Sequence, residues 1–343
     1  MNEEILERRL RKEAERRKED VEVTRVRMLE LGLDTASDVR AQAAQEDEVR
    51  ADVLLVTTTL TEHRKLKEVA LSLGLPFNKL PGRLGPYYKL GRIGGNRVAT
   101  IHMTTMGVFG AQGSAARCIH ARAETQATTL ILLGTAFGAD RARQRIGDVL
   151  VSERVFLYDD RRAVDAEAGG RFAATIEGLC GFADRVTSRR WDLSKKARRL
   201  AGLGYVLTYP ETALRPASVT WAERFRRLAA DYQHGGETER VQVGVLLSGG
   251  ALIESARFLD DLVQSLPAME SQILGGEMEA AGAISAEPPA AGDEPGWIIV
   301  KGVSDFAEAG SRTKEELEKN REQAARNAAR ATLRALAIAP MST

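Results

Sequence analysis

Four short segments carry the residue types that acid–base chemistry requires. Glu62 lies in "TTTLTEHRKL" (57–66), and "LLGTAFGAD" (132–140) sets Gly134, Thr135 and Ala136 behind an apolar run. "GGEMEAAGAISA" (275–286) brackets Met278 with Glu277 and Glu279, and "VKGVSDFAE" (300–308) ends its apolar run in Ser304 and Asp305. Carboxylates among alanines and glycines are costly to bury unless something pairs with them. Two carboxyl groups in different surroundings can divide the roles of acid and base between them. Each segment also has a purely structural reading. Thr59 and Glu62 have capping-box spacing, and Asp305 with Glu308 resembles a capped helix start. The "GTA" turn suits any strand end. On a helix, positions 277 and 279 would project in different directions, so the two glutamates are expected to serve different roles, one of them at the helix start.

The elements that must hold these residues follow from patterning. Short apolar, β-branched runs occur at 52–58, 97–105, 128–136, 147–155, 241–249 and 296–305, with helix-like segments near 61–73, 110–124, 253–266, 277–286 and 314–337. This alternation predicts an α/β fold whose mainly parallel sheet is covered on both faces. In such sheets ligands bind beyond the carboxyl ends of strands, where the four segments fall. Residues 1–50 are charged and helix-forming, and predict a solvated helical extension, or alternatively an oligomerisation or partner-binding arm. The arginine-rich stretch 160–240 reads as an excursion from one catalytic domain spanning 51–340, and "EPPAAGDEPG" (287–296) as a surface loop.

Composition narrows the function classes. The 343 residues carry a net charge of +1, with 43% hydrophobic and 28% charged residues, so no global field recruits nucleic acid or an anionic membrane. Cys118 and Cys180 match no metal or redox spacing and suggest a reduced compartment. The charged start and the lack of a long apolar run predict a cytoplasmic protein. Gly107, Gly110 and Gly113 do not form GxGxxG, and the next strand ends in Gly134-Thr135 rather than an acid, which argues against a dinucleotide site. His63, His102, His120 and His234 lack ligand spacing, so neither a metal nor another cofactor is expected.

Taken in order, "LLVTTTLTEHRKL", "TTMGVFGAQGSAA", "LILLGTAFGA", "GDVLVSERVFLYD", "VGVLLSGGALI", "GGEMEAAG" and "VKGVSDFAE" resemble the nucleoside phosphorylase/nucleosidase superfamily, above all its methylthioadenosine/S-adenosylhomocysteine nucleosidase branch. The resemblance spans about residues 51–337. It implies a twisted, mostly parallel or mixed sheet flanked by helices, and hydrolysis of a purine N-glycosidic bond in a nucleoside or nucleotide. In that scheme Asp305 protonates the purine and Ser304 fixes its carboxyl group. Glu62 activates water, Glu279 holds the ribose hydroxyls and Met278 packs on the sugar, with Glu277 at the helix start or behind the site. Val108, Thr135, Ala136, Leu252 and Ile253 would line the pocket. Leu132 stands where phosphorylases of the superfamily carry a phosphate-binding arginine, which favours water over phosphate as nucleophile.

Some positions depart from the pattern. Leu252 replaces the branch's usual phenylalanine, Phe137 replaces a glycine, and His63 and Arg64 follow Glu62. The resemblance also implies a homo-oligomer. A phosphorolytic enzyme and a nucleotide-degrading or nucleotide-sensing effector with a partner-binding amino-terminal helix are the alternatives.

Overall fold

Strand-forming runs and helical stretches alternate along the chain, and the computed structural model places them as a curled mixed sheet with helices packed on it. It describes residues 49–83, 85–104, 107, 113–160, 162–165, 205–235, 240–250, 253–264, 266, 272–287, 294–307 and 313–338. The expected amino-terminal helix lies outside the described residues but for Val49 and Arg50, as do Val108 and Leu252.

In chain order the first half contains β1 (Val53–Thr57), α1 (Leu60–Ser72), β2 (Asn78–Leu80), β3 (Tyr87–Ile93), β4 (Asn96–His102), α2 (Ser114–Thr125), β5 (Thr129–Gly138) and β6 (Val149–Leu157). There follow β7 (Arg162–Asp165), β8 (Tyr205–Thr208), β9 (Leu214–Pro216), α3 (Val219–Gly235), β10 (Val241–Ser248), α4 (Ala256–Gln264), β11 (Ile273–Glu277), α5 (Ala280–Ser285), β12 (Trp297–Asp305) and α6 (Lys314–Ala337). The ten-stranded sheet runs β11-β10-β6-β12-β5-β1-β4-β3-β2, with β9 on β6. It is mixed: β1, β4, β5, β12, β10 and β11 make parallel pairs, whereas β12–β6, β3–β4 and β11–β5 are antiparallel.

The sheet closes on itself at one end. Where β1 stops beside Leu133, β5 continues, and its freed edge is taken by β11 through Gly275↔Gly138 and Gly276↔Phe137. The circuit β5-β12-β6-β10-β11-β5 is therefore a small barrel continuous with an open sheet. The close approach of β11 requires glycine: a Cβ on Gly275 would stand 2.1 Å from the Phe137 carbonyl oxygen.

α1 and α6 cover one region of the sheet. Their packing is tied by Thr61 donating to Glu318 at 2.8 Å, and by Arg64 and Lys65 pairing with Glu322. The inner face of α6 is mostly alanine (Ala324, Ala325, Ala328, Ala329, Ala331), so its backbone can lie directly on β12. A Cβ on Gly302 would meet the Ala324 carbonyl oxygen at 2.1 Å.

Within the stretch 160–240, α3 sends Trp221, Phe225, Leu228 and Tyr232 into the main core. Its arginines occupy the other positions of the helix and disguise this apolar face. The hairpin β2–β3 was not anticipated from the sequence. Finally, the helix read over 277–286 is split: Glu277 ends β11, and α5 begins only at Ala280.

Candidate active site

The four singled-out segments meet at the carboxyl ends of β1, β5, β11 and β12. The register brings them together through one residue, since Phe137 of β5 pairs with Asp305 on one edge and with Gly276 on the other. Thr135, two residues earlier, pairs with Gly302. At ordinary strand spacings the Cα atoms of Thr135 and Asp305 are therefore roughly 8 Å apart.

Glu62 does what its spacing predicts and something more. Thr59 and Glu62 form a reciprocal capping box at the start of α1. Oε2 of Glu62 accepts from the Thr58 and Thr59 amides at 2.9 and 2.8 Å. Oε1 reaches across to β5, accepting from the Thr135 amide at 2.8 Å and its hydroxyl at 3.3 Å. Four donors thus immobilise a buried carboxylate at the junction of β1, α1 and β5. The turn expected at Gly134-Thr135-Ala136 is not one, since β5 runs straight through to Gly138. The position beneath Glu62 nevertheless has to be glycine: a Cβ on Gly134 would lie 2.3 Å from Glu62 Oε1.

Glu277 and Glu279 converge, contrary to the divergence expected from a helix. Glu277 stands at the last position of a strand, so the chain turns between the two residues. Its oxygens accept from the Glu279 and Ala280 amides at 2.9 and 3.0 Å, capping α5. Both carboxylates face Lys301 of β12, whose Nζ lies 3.1 Å from Glu279 Oε2 and 3.5 Å from Glu277 Oε2. Lys301 is 1% exposed. Burial works against its ammonium, yet Glu279, Glu277 and Glu62 together hold its pKa above the ordinary lysine value. Burial pushes the Glu277 carboxyl upward, against the pull of Lys301. The carboxyl end of the barrel is thus a buried cluster of three carboxylates and one ammonium. Lys301 is the member that sequence reading missed. Nothing marks it in "WIIVKGVSD" except a charge in the middle of an apolar strand, a signal that alone could have found it.

Asp305 ends β12. Its Oδ2 is 2.8 Å from Ser304 Oγ, and its Oδ1 accepts from the Ala307 amide at 3.0 Å. Ser304 Oγ is also 3.2 Å from the Ala136 carbonyl, which ties Ser304 and Ala136 together as neighbours. Ala307 adopts φ of 56°, a left-handed conformation unfavourable for alanine. Phe306 and Ala307 after Asp305 are not helical, Glu308 lies outside the described residues, and α6 begins at Lys314 with its own Thr313–Glu316 capping box. Met278 is half-buried in the turn between Glu277 and Glu279. Ile253 is buried in a second apolar cluster with Phe137, Phe156, Tyr158, Leu247 and Ala307. Phe137 packs its ring on Gly276, where a Cβ would stand 2.4 Å from Cζ, so it braces the barrel closure. Among the described residues no cluster of three or more His, Cys, Asp or Glu is arranged to hold a metal, and no helix is long and apolar enough to cross a membrane.

The curled mixed sheet with a barrel at one end is the fold of solved nucleosidases and of a futalosine hydrolase. Among solved structures the chain is similar to the 5'-methylthioadenosine/S-adenosylhomocysteine nucleosidase of Neisseria meningitidis in complex with methylthio-immucillin-A (19% identity, 83% of this chain and 99% of that one, TM-score 0.54). It is similar also to the futalosine hydrolase of Helicobacter pylori (16% identity, 84% and 97%, TM-score 0.54). The nucleosidase of Colwellia psychrerythraea in complex with adenine gives 16% identity, 84% and 96% coverage and a TM-score of 0.53. No protein-family model and no curated protein matches the sequence.

Proposed function

We propose that the protein hydrolyses the N-glycosidic bond of a purine nucleoside or nucleotide of adenine type. The observation that carries this reading is the convergence of Glu62, Glu279 and Asp305 on one end of the barrel, each held by a different set of donors.

Breaking a glycosidic bond leaves positive charge on the ribose and sends electrons onto the base. Asp305 is the general acid for the base. A hydroxyl has one proton, so Ser304 Oγ donates either to Asp305 Oδ2 or to the Ala136 carbonyl. In the second arrangement it accepts from a protonated Asp305, and the site accommodates the acid before and after proton transfer. Glu279 accepts from the vicinal ribose hydroxyls, a task for which a carboxylate with two oxygens is suited. Glu62 orients and deprotonates the attacking water at Oε1, where the Thr135 amide stays bound and the Thr135 hydroxyl, at 3.3 Å, gives way to the water. The carboxylates outnumber Lys301 three to one, and their excess negative charge favours the cationic sugar of the transition state.

Water is favoured over phosphate on the same grounds. Leu132 is buried in β5, and Lys301 is engaged by two glutamates. A dianionic nucleophile would meet Glu62 with no described cation of its own.

The test is chromatography of adenosine, methylthioadenosine, S-adenosylhomocysteine, AMP and ATP after incubation in phosphate-free buffer. Free base and free ribose products are expected. Asp305→Asn and Glu62→Gln should each lower kcat by about 10²–10⁴-fold, the usual worth of a positioned acid or base. Glu279→Gln should lower kcat/KM as well. Unchanged base release in Asp305→Asn and Glu279→Gln defeats the assignment. Turnover only with added phosphate would make the enzyme a phosphorylase.

A further inference from the structure

One residue beyond Glu62, and turned about 100° around α1 from it, His63 is completely buried. Three rings box it in: Tyr88 at 4.9 Å, His102 at 5.3 Å and Phe77 at 5.5 Å between centroids. Its Nδ1 lies 3.2 Å from Thr57 Oγ1, while Nε2 is buried without a hydrogen-bond partner. Nδ1 of His102 is likewise buried and unpartnered. Thr57 and His102 are register partners on β1 and β4, so a helix imidazole and a strand imidazole meet over the sheet.

An aliphatic side chain would fill this slot with no orphaned nitrogen, and buried polar atoms left unpaired call for an explanation. A neutral imidazole has one N–H, whereas an imidazolium has two and a charge. Protonating either ring therefore adds a charge and a second donor, and only the Thr57 backbone, hydrogen-bonded to His102, offsets part of that cost. The charged groups nearby do not help. On α1, Lys67 bears on His63 as a like charge, and both oxygens of Glu62 are taken by Thr58, Thr59 and Thr135. Arg64 and Lys65 reach instead toward Glu68 and Glu322. On β3 the neighbour is Tyr88, and on α2 it is Arg117, which bears on His102 and donates to its carbonyl at 3.2 Å. The charges that act on the two rings among the described residues are cationic. Burial leads in holding His63 well below the ordinary histidine value and His102 down at about 4.

We propose that His63 and His102 form an acid-release latch that keeps the first turns of α1 on the sheet only while both imidazoles are neutral. Opening the latch withdraws Glu62 from Thr135 and so disables the proposed water-activating base. The consequence for turnover rests on the nucleosidase reading; the latch itself does not.

The test is amide hydrogen exchange of residues 60–72 in the full chain from pH 8 to pH 4, corrected for intrinsic exchange rates, with base release measured in parallel. In the wild type, protection of α1 should fall more than 10-fold on acidification before the strands of the barrel lose theirs, and kcat should fall with it. In His63→Leu and in His102→Leu the loss of protection should move at least one pH unit lower. The same acid midpoint in folded variants overturns the latch. Should neither variant fold, imidazole proton NMR of the wild type decides. Two of the four histidines are expected to stay neutral until α1 opens; all four titrating independently under a protected α1 overturns the proposal. An α1 that opens as described in a protein that releases no base from any substrate would refute the nucleosidase reading and leave the latch standing.

Discussion

Lys301 shows how a single buried cation organises the barrel end. Two carboxylates from adjacent turns of chain, both buried, would repel one another across a short gap. Their shared ammonium permits both to stay close, and a third carboxylate, Glu62, acts on it from α1. Removing one partner of a buried ion group leaves the others uncompensated, so Lys301→Met should destabilise the fold by about 3–5 kcal/mol. Urea unfolding would measure this, and adding Glu277→Gln should recover part of the loss. Gly134→Ala tests the other side of the site. The new methyl group would collide with Glu62 Oε1, and kcat should drop while far-ultraviolet circular dichroism stays native.

Helices in this protein act mainly through where they start and what they lie on. α1 begins with a capping box whose glutamate is also the proposed base, so one side chain caps a helix and faces the site. α6 lies on β12 because alanines and Gly302 remove the side chains that would hold the two apart. Gly302→Ala places a methyl group against the Ala324 carbonyl, and overpacking of this kind costs about 1–3 kcal/mol. The thermal midpoint should fall accordingly, and kcat with it, since β12 carries both Lys301 and Asp305. The Thr59 cap offers a milder change: Thr59→Ala should cost about 1 kcal/mol, measured by urea unfolding, with a larger effect on kcat than on KM.

Across the whole molecule, the buried histidines set the acid limit. Their folded-state pKa values lie below the value of about 6.5 expected in the unfolded chain. The unfolded chain therefore binds more protons below that point, and stability present above pH 6.5 is lost as pH falls toward 4. The slope should approach about 1.4 kcal/mol per pH unit for each histidine. Urea midpoints between pH 7 and pH 4 would check it against His63→Leu and His102→Leu, since Glu277, pushed upward by burial, adds a slope of opposite sign; variants with the wild-type slope would contradict the burial of the pair. Lys301, held above its ordinary value, adds no slope in this window.

Much of this was legible from residue order. Apolar runs at β1, β5, β10 and β12, the carboxylates at their ends and the capping box at Thr59–Glu62 are local features, decided by side-chain type and by spacings of two to four residues. Glu62, Glu279, Asp305, Ser304, Thr135 and Ala136 could be singled out for that reason. What could not be read depends on long-range register. Whether β11 crosses to the free edge of β5 is settled by backbone pairing between residues 137–138 and 275–276. Only that closure sets Glu277 and Glu279 against Lys301 from another strand, and Asp305 beside the same residue of β5. The coming together of His63 and His102 has the same origin, since parallel pairing of β1 with β4 under α1 brings two rings 39 positions apart to 5.3 Å. Residue type supplied the chemistry; strand pairing chose which groups face each other, because interactions between buried charges and rings fall off within a few ångströms.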